Sequence, residues 1–348
     1  MTGRGRWLLW GLVLLVGAAP AASGRSFEPA PRDERGRFLN AAGEISHAGV
    51  NVTLPFQLRR VWATLVGRHA PLESVPNDGA FLRHNASHSA PTATWVGHST
   101  LLVQMEGLTF LTDPIWSKTA SPISWAGPRR YVPPGVALDD LPPVDFVLVS
   151  HNHYDHLDLA SLERLARRDP LTRFLVPLGN AELLRSRGIQ NVDELDWGDT
   201  LSVAGVRATC LPAQHWSRRG LFDGRSTLWC SWSVVGPERR FYFAGDSGYF
   251  DGYAAIGEAL GPFDLAALPI GAYEPQAMMR PYHLDPEEAV RAGRDLRARR
   301  IVGVHFGTFD LSDEPMDEPP RRFLEAARED GYAAADAWIL RIGETREF

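Results

Sequence analysis

Phe146-Val147-Leu148-Val149-Ser150-His151-Asn152-His153-Tyr154-Asp155-His156 is the stretch on which the reading of this 348-residue chain turns. Its first four residues are continuously apolar, which marks a strand buried on both faces. Four ligand-type side chains follow within six positions. On extended backbone His151 and His153 point to one side, because side chains alternate along a strand. Asp155 and His156 turn toward a second centre as the chain bends into a helix, read over residues 159–168. Imidazole and carboxylate are the ligands of borderline divalent ions such as zinc. The bland alternative is a surface histidine cluster without an ion, and the position at a strand's C-terminal end fits it poorly.

Working outward, three more ligand-type residues each stand just past a strand-like run. His215 follows Cys210-Leu211-Pro212, Asp246 follows Phe243-Ala244-Gly245, and His305 follows Val302-Gly303-Val304. Strand ends converge on one edge of a sheet, so their common placement predicts a shared site. Any one of them alone fits a packed core residue; the three together do not. Strands are also read at 93–96, 100–105, 108–111, 174–176 and 264–268, with hairpins turning at Gly205 and around Gly236-Pro237. A second helix is placed over 285–298, where Pro286 and Glu287-Glu288 suit the first turn. Residues 113–143 form a long proline-punctuated loop carrying Trp116, Trp125, Arg129, Arg130 and Tyr131, of a length that is functional or padding. No solenoid period and no glycine fingerprint of a dinucleotide fold occurs.

The first residues differ in kind. Arg4 and Arg6 precede an apolar run through Gly17, and Ala19-Pro20-Ala21 offers a cleavage site. This layout predicts a signal peptide over 1–21 and an exported, periplasmic or membrane-associated protein of the bacterial envelope. Residues 22–90 read as an extension packing on a body that spans 91–348, beginning with a loosely structured lead-in over 28–43. Within the extension Leu54, Phe56, Leu58, Val61, Trp62, Leu65 and Val66 form one helical apolar face, with Gln57, Arg59, Arg60 and Arg68 outside it. That face packs on the body or meets a membrane. The net charge of -6 supplies no broad positive surface, which excludes nucleic acid as the expected partner. Cys210 and Cys230, the only cysteines, are no thiolate cluster; they are a disulfide or two buried thiols on neighbouring strands.

These motifs resemble the metallo-β-lactamase superfamily, whose signature is a His-x-His-x-Asp-His run. More narrowly, the chain looks like the branch containing N-acyl-phosphatidylethanolamine-hydrolysing phospholipase D. The similarity runs from about residue 93 to 322. It includes Thr94-Trp95-Val96-Gly97-His98-Ser99-Thr100, Leu111-Thr112-Asp113-Pro114, Trp125-Ala126-Gly127-Pro128-Arg129-Arg130, Pro212-Ala213-Gln214-His215-Trp216-Ser217, Gly245-Asp246-Ser247-Gly248-Tyr249 and His305-Phe306-Gly307-Thr308.

The resemblance implies an α+β fold, a four-layer αβ/βα sandwich with an N-terminal helical extension and two zinc ions at one edge. His151, His153 and His215 would hold the first ion; Asp155, His156 and His305 would hold the second, with Asp246 bridging. His98 and Asp113 match positions that orient the ligands. Asp155, Asp246 and His283 are the expected catalytic residues, His283 near the phosphoryl group or the leaving alkoxide. Trp125, Arg129, Arg130, Trp216, Tyr249 and Tyr273 are the expected substrate contacts, offering an apolar approach and a hydrogen-bonding rim. The expected activity is phosphodiester cleavage of N-acylated or related phospholipids, with peripheral membrane contact. A lactonase or amide hydrolase on the same ions, or a non-catalytic metal-binding envelope protein, are the other readings.

Overall fold

The structure, a computed structural model, describes residues 27–45, 48–66, 72–123 and 125–348. The leader expected over 1–21 lies outside the described residues. Two seven-stranded sheets form the body. The first is built from β1 (Thr92–Gly97), β2 (Thr100–Met105), β3 (Leu108–Thr112), β4 (Phe146–Leu148), β5 (Arg173–Pro177) and β6 (Val192–Leu195). The second takes β7 (Thr200–Val203), β8 (Val206–Leu211), β9 (Ser231–Val235), β10 (Arg240–Phe243), β11 (Leu265–Pro269), β12 (Ile301–Val304) and β13 (Ala337–Trp338). β14 (Thr345–Glu347) returns to the first sheet, giving the order β14-β1-β2-β3-β4-β5-β6; the second runs β13-β12-β11-β10-β9-β8-β7.

Each sheet begins antiparallel and ends parallel, with the change at β3–β4 and at β10–β11. The antiparallel pairs β1–β2, β2–β3, β7–β8 and β9–β10 are joined by tight turns, β7 to β8 through Ala204 and Gly205, both at positive φ, whereas β8 and β9 are joined by the long loop 212–230. The parallel strands need helical crossovers instead. α3 (Leu159–Arg168) and α4 (Ala181–Ser186) cover the outer face of the first sheet, where Leu162, Leu165 and Leu184 pack with Val147 and Phe174. α5 (Gly252–Leu260), α7 (Pro286–Asp295) and α8 (Glu318–Glu329) cover the second. α7 starts at a capping box, in which Asp285 and Glu288 satisfy each other's backbone N–H groups. Between the sheets lies the main core, where Trp95 and Phe110 meet Trp232 and Phe241, with the Phe110 and Phe241 ring centroids 5.6 Å apart. The α+β four-layer sandwich expected from the sequence is the fold observed.

Two parts of the extension differ from expectation. The lead-in is tied down: Phe38 is buried in the main core, and the Asn40 amide is buried beside His215. A single large aromatic gives a Pro- and Arg-rich segment enough apolar burial to dock. α1 (Val50–Val66) is helical as read, yet Arg60 turns inward and, of the described apolar face, only Phe56 does. Phe56 and Ala63 are buried and Arg60 reaches Asp310 at 2.5 Å, while Leu54, Leu58, Val61 and Trp62 are exposed, Trp62 by 67%. The acidic pair Asp310 and Asp313 receives Arg60, and Arg59 also reaches Asp313 at 2.6 Å, so charge fixes the helix rotation against the apolar periodicity. α2 (Ala80–Asn85) and α6 (Gln276–Met279) are short; α6 touches α1. Cys210 and Cys230 are buried free thiols. No helix among the described residues is long and apolar enough to cross a membrane.

Candidate metal centre

The ends of β3, β4, β8, β10 and β12 meet along one edge of the sandwich. What brings the two sheets together there is a close backbone approach. Gly245, at φ +60°, lies where a Cβ would come within 2.5 Å of the Ser150 Cβ, so only glycine permits it. The Cys230 N–H donates to the Ser150 carbonyl at 2.9 Å and the Trp232 indole donates to the Val149 carbonyl at 2.9 Å, stitching β9 to β4.

Two clusters of ring nitrogens and carboxylates result. In the first, the His153 Nδ1 lies 2.8 Å from the His151 Nε2 and 3.3 Å from the His215 Nε2. A tetrahedral ion with N–metal bonds of about 2.0–2.1 Å spaces its ligands by roughly 3.3 Å, so this face is close to what such an ion needs. In the second, the Asp155 Oδ2 stands 3.3 Å from the His156 Nε2, 3.4 Å from the His305 Nε2 and 3.1 Å from the His98 Nε2. Asp246 faces both. Its Oδ2 lies 3.2 Å from the His156 Nε2, 4.0 Å from the His151 Nε2 and 3.9 Å from the His215 Nε2; its Oδ1 lies 3.2 Å from the His305 Nε2. Thus all the ligand-type residues expected from the sequence come together.

The donor set fits divalent ions. Buried polar atoms normally find hydrogen-bond partners, yet the His156 Nε2, His305 Nε2 and Asp246 Oδ1, which face the clusters, have none. The outer nitrogens of His151, His156 and His215, by contrast, are well partnered. The Asp113 carboxylate accepts from the Ser150 N–H and hydroxyl at 2.7 and 2.6 Å and from the His156 Nδ1 at 2.6 Å. The Ser150 hydroxyl in turn lies 2.9 Å from the His151 Nδ1, and the His215 Nδ1 donates to the Tyr282 carbonyl at 2.9 Å. These partners take a proton on Nδ1 in three rings and leave each Nε2 aimed inward, as a lone pair on the neutral His151 and His215. Asp113 stands behind His156, its oxygens already taken. His98 is nearer than an outer partner, within the second cluster itself.

Electrostatics divides the histidines. Burial, with neighbouring imidazoles, holds His151 and His215 well below the usual histidine range and brings His153 and His283 down to about 4. Burial acts the same way on His156 and His305, but the carboxylates of Asp246 and Asp155 outweigh it; His156 is driven well up and His305 reaches about 9. Burial alone would raise Asp155 and Asp246, yet His156 leads the contacts that keep both carboxyls ionised.

A cavity of about 600 Å³ opens over this floor. His153, Asp155, Asp246, His283 and His305 reach it, and Trp216, Met278, Met279, Tyr282 and Leu311 make an apolar wall, with Arg37, Arg218 and Arg225 at its polar side. Of the expected substrate contacts, Trp216 stands in the wall, its ring 4.7 Å from that of His153. Trp125 and Arg129 are exposed on the 113–143 loop and do not line the cavity. Arg130 points inward, donating to the carbonyls of Ser117 and Ile115 at 3.1 and 2.6 Å. The Tyr273 hydroxyl donates to Glu318 at 2.8 Å and the Tyr249 hydroxyl to Asp295, both away from the cavity. Sequence reading missed Asn40, whose amide brackets the main chain of His215 at 3.0 Å on both sides. It also missed Met278, Met279 and Leu311; single apolar residues in loops give no periodic signal.

Residues 109–306 match the family described as "Beta-lactamase superfamily domain". The chain belongs to the metallo-β-lactamase superfamily. Within that superfamily it is 44% identical over 290 residues to the Caenorhabditis elegans "N-acyl-phosphatidylethanolamine-hydrolyzing phospholipase D 1", covering 76% of this chain and 82% of that protein. An uncharacterized protein of Mycobacterium tuberculosis is 40% identical over 345 residues, 95% of this chain and 90% of that one. Among solved structures, an isothiocyanate hydrolase from Delia radicum gut bacteria superposes with a TM-score of 0.58 at 23% identity, covering 74% of this chain and 99% of that one; the likeness is one of fold. This metallo-β-lactamase-superfamily chain is a metal-dependent hydrolase whose clustered His and Asp residues suit a binuclear centre.

Proposed function

We propose that the protein is a binuclear zinc hydrolase that cleaves a phosphodiester bond in phospholipids of the N-acyl-phosphatidylethanolamine type, releasing the headgroup alcohol in phospholipase D fashion. The observation that carries the reading is Asp246, one carboxylate facing both ligand clusters at the floor of an apolar-walled cavity. His151, His153 and His215 would hold one ion; Asp155, His156 and His305 would hold the other. Two such ions, when bound, would supply a water-derived nucleophile at neutral pH and neutralise charge on phosphoryl oxygens. The residues of the chain do the rest. Asp246 keeps the two clusters in register. Asp113 and Ser150 fix the tautomers of His156 and His151. His283, neutral because burial lowers it to about 4, donates a hydrogen bond to a phosphoryl oxygen and does not serve as a proton store at neutral pH. The residue lines the cavity, and its buried Nδ1 has no partner and lies 3.8 Å from Asp246. Met278, Met279 and Leu311 exclude water around the ester and accept acyl chains, methionine adapting to irregular apolar shapes.

Peripheral membrane contact belongs to the same reading. α1 presents Leu54, Leu58, Val61 and Trp62 outward while its Thr53 lines the cavity, so an apolar surface continues to the mouth. The export layout of residues 1–21 would put this mouth against an envelope membrane; N-terminal sequencing of the mature protein tests that placement. For the activity, chain purified with zinc is offered N-acyl-phosphatidylethanolamine, short phosphodiesters, lactones and amides. N-acylethanolamine and phosphatidic acid are the expected products. Lactone or amide turnover without phosphodiester cleavage would replace this reading with attack at carbonyl carbon.

A further inference from the structure

The signature segment carries three proposed ligands, His153, Asp155 and His156, on a short turn with little regular structure. Its internal bonds run from the His156 and Leu157 N–H groups to the His153 carbonyl. The carbonyls of Asn152 and Leu157, at the two ends of the turn, face outward. One nitrogen of Arg219, Nη1, donates to both, at 2.9 Å each. The guanidinium also lies over the Tyr154 ring, 4.1 Å from its centroid. Tyr154 returns the contact: its hydroxyl donates to the Arg219 carbonyl at 2.9 Å.

Arg219 is itself held from the other sheet. It follows the ligand His215 by four residues, on the loop after β8. The Asp223 carboxylate accepts from the Arg219 N–H at 3.2 Å and from the Gly220 N–H at 2.7 Å. The loop is closed below by Arg225 N–H donating to Ser217 O at 2.8 Å and the Ser217 hydroxyl donating to Thr227 O at 2.5 Å. A side chain that is no ligand therefore joins a ligand segment of the first sheet to one of the second.

We infer that Arg219 is a positioning residue for the metal centre, a clamp that brackets the Asn152–Leu157 turn and fixes it against the His215 loop. Hydrogen bonds from a charged donor are stronger than neutral ones, and two of them with a stacked ring fix orientation as well as distance. Lysine supplies the charge and a point donor but not the flat group that stacks on Tyr154, so it replaces arginine only in part. The inference rests on the metal centre and is independent of which ester is cleaved.

The test is metal affinity, measured by competition of apo protein against a chelator for Zn2+ and Co2+, together with the visible spectrum of the Co2+ form. Arg219→Met weakens binding about 10–100-fold, the range found when partners behind the ligands are removed. At saturating Co2+ its absorption bands shift, because the ligand angles have changed. Arg219→Lys loses less, and Asp223→Ala, which frees the loop that carries the arginine, loses affinity in the same direction. Arg321→Met, which removes an exposed arginine paired with Glu325 on α8, leaves affinity and spectrum at wild type. If Arg219→Met does not fold, Arg219→Lys and Asp223→Ala carry the test. Wild-type affinity and spectrum in the folded Arg219 variants overturn the clamp alone; a wild-type chain that takes up no metal overturns the centre and the clamp together.

Discussion

Asp113 shows how much of this site is built one atom behind the ligands. It is fully buried, and burial raises its carboxyl, while His156 and Ser150 pull it back. It organises three partners at once and leaves His156 with its Nε2 free for an ion. Asp113→Asn keeps the shape but exchanges an acceptor for a donor facing the His156 Nδ1–H. Metal affinity is expected to fall about 10–100-fold with the fold intact, read by chelator competition and circular dichroism. The histidine charges give a second expectation. Burial opposes a charge on His156 and His305, but Asp246 and Asp155 hold both protonated in the apo protein at pH 7.5. Metal must displace those protons, so binding releases them and strengthens as pH rises through His305's range near 9. Calorimetric titrations in buffers of different ionisation enthalpy measure the release; identical apparent enthalpies in all buffers would contradict it. At this scale the sequence was highly legible. His151, His215, Asp246 and His305 each stand within four residues of the end of a strand, and strand ends converge on one edge of the sandwich. Asn40 was not legible, because a long-range amide contact across 175 positions leaves no local pattern.

Elements were legible where one force set them. Residues 159–168 are helical as their apolar period requires, and the turn at Gly205 joins two strands as its glycine requires. α1 was read as a helix correctly, but whether its apolar face meets the body or a membrane was left open, since periodicity reports amphipathicity without saying which neighbour is waiting. Here the neighbour is an acidic pair, and ion pairs with little exposure at Arg60 outweigh the burial of a leucine stripe. The helix therefore presents an apolar strip that water tolerates poorly. Leu58→Ser combined with Trp62→Ser is expected to lower binding to vesicles containing phosphatidylglycerol about 100-fold, since each deleted apolar side chain contributes on the order of 1.5 kcal/mol and about 1.4 kcal/mol is tenfold. Turnover of a short soluble phosphodiester should stay at wild type, because neither side chain reaches the cavity. Unchanged flotation with vesicles would remove the membrane from the account.

Across the whole molecule, two sheets that each change from antiparallel to parallel pairing place their strand tips on one edge, and the core of Trp95, Phe110, Trp232 and Phe241 holds those edges face to face. Each sheet contributes part of each cluster, so the centre exists only when both are packed. The long-range return of β14 to β1 completes the first sheet and was illegible, because its three residues carry no strand pattern of their own. The most direct test is metal stoichiometry by mass spectrometry on wild type and Asp246→Asn, with phosphodiester turnover measured on the same samples. Wild type should carry about two ions per chain, and the variant should lose at least one ion and about 100-fold or more of the turnover while keeping its circular dichroism. A folded wild-type chain that carries no ion, or an Asp246→Asn variant with full occupancy and undiminished turnover, would contradict the account.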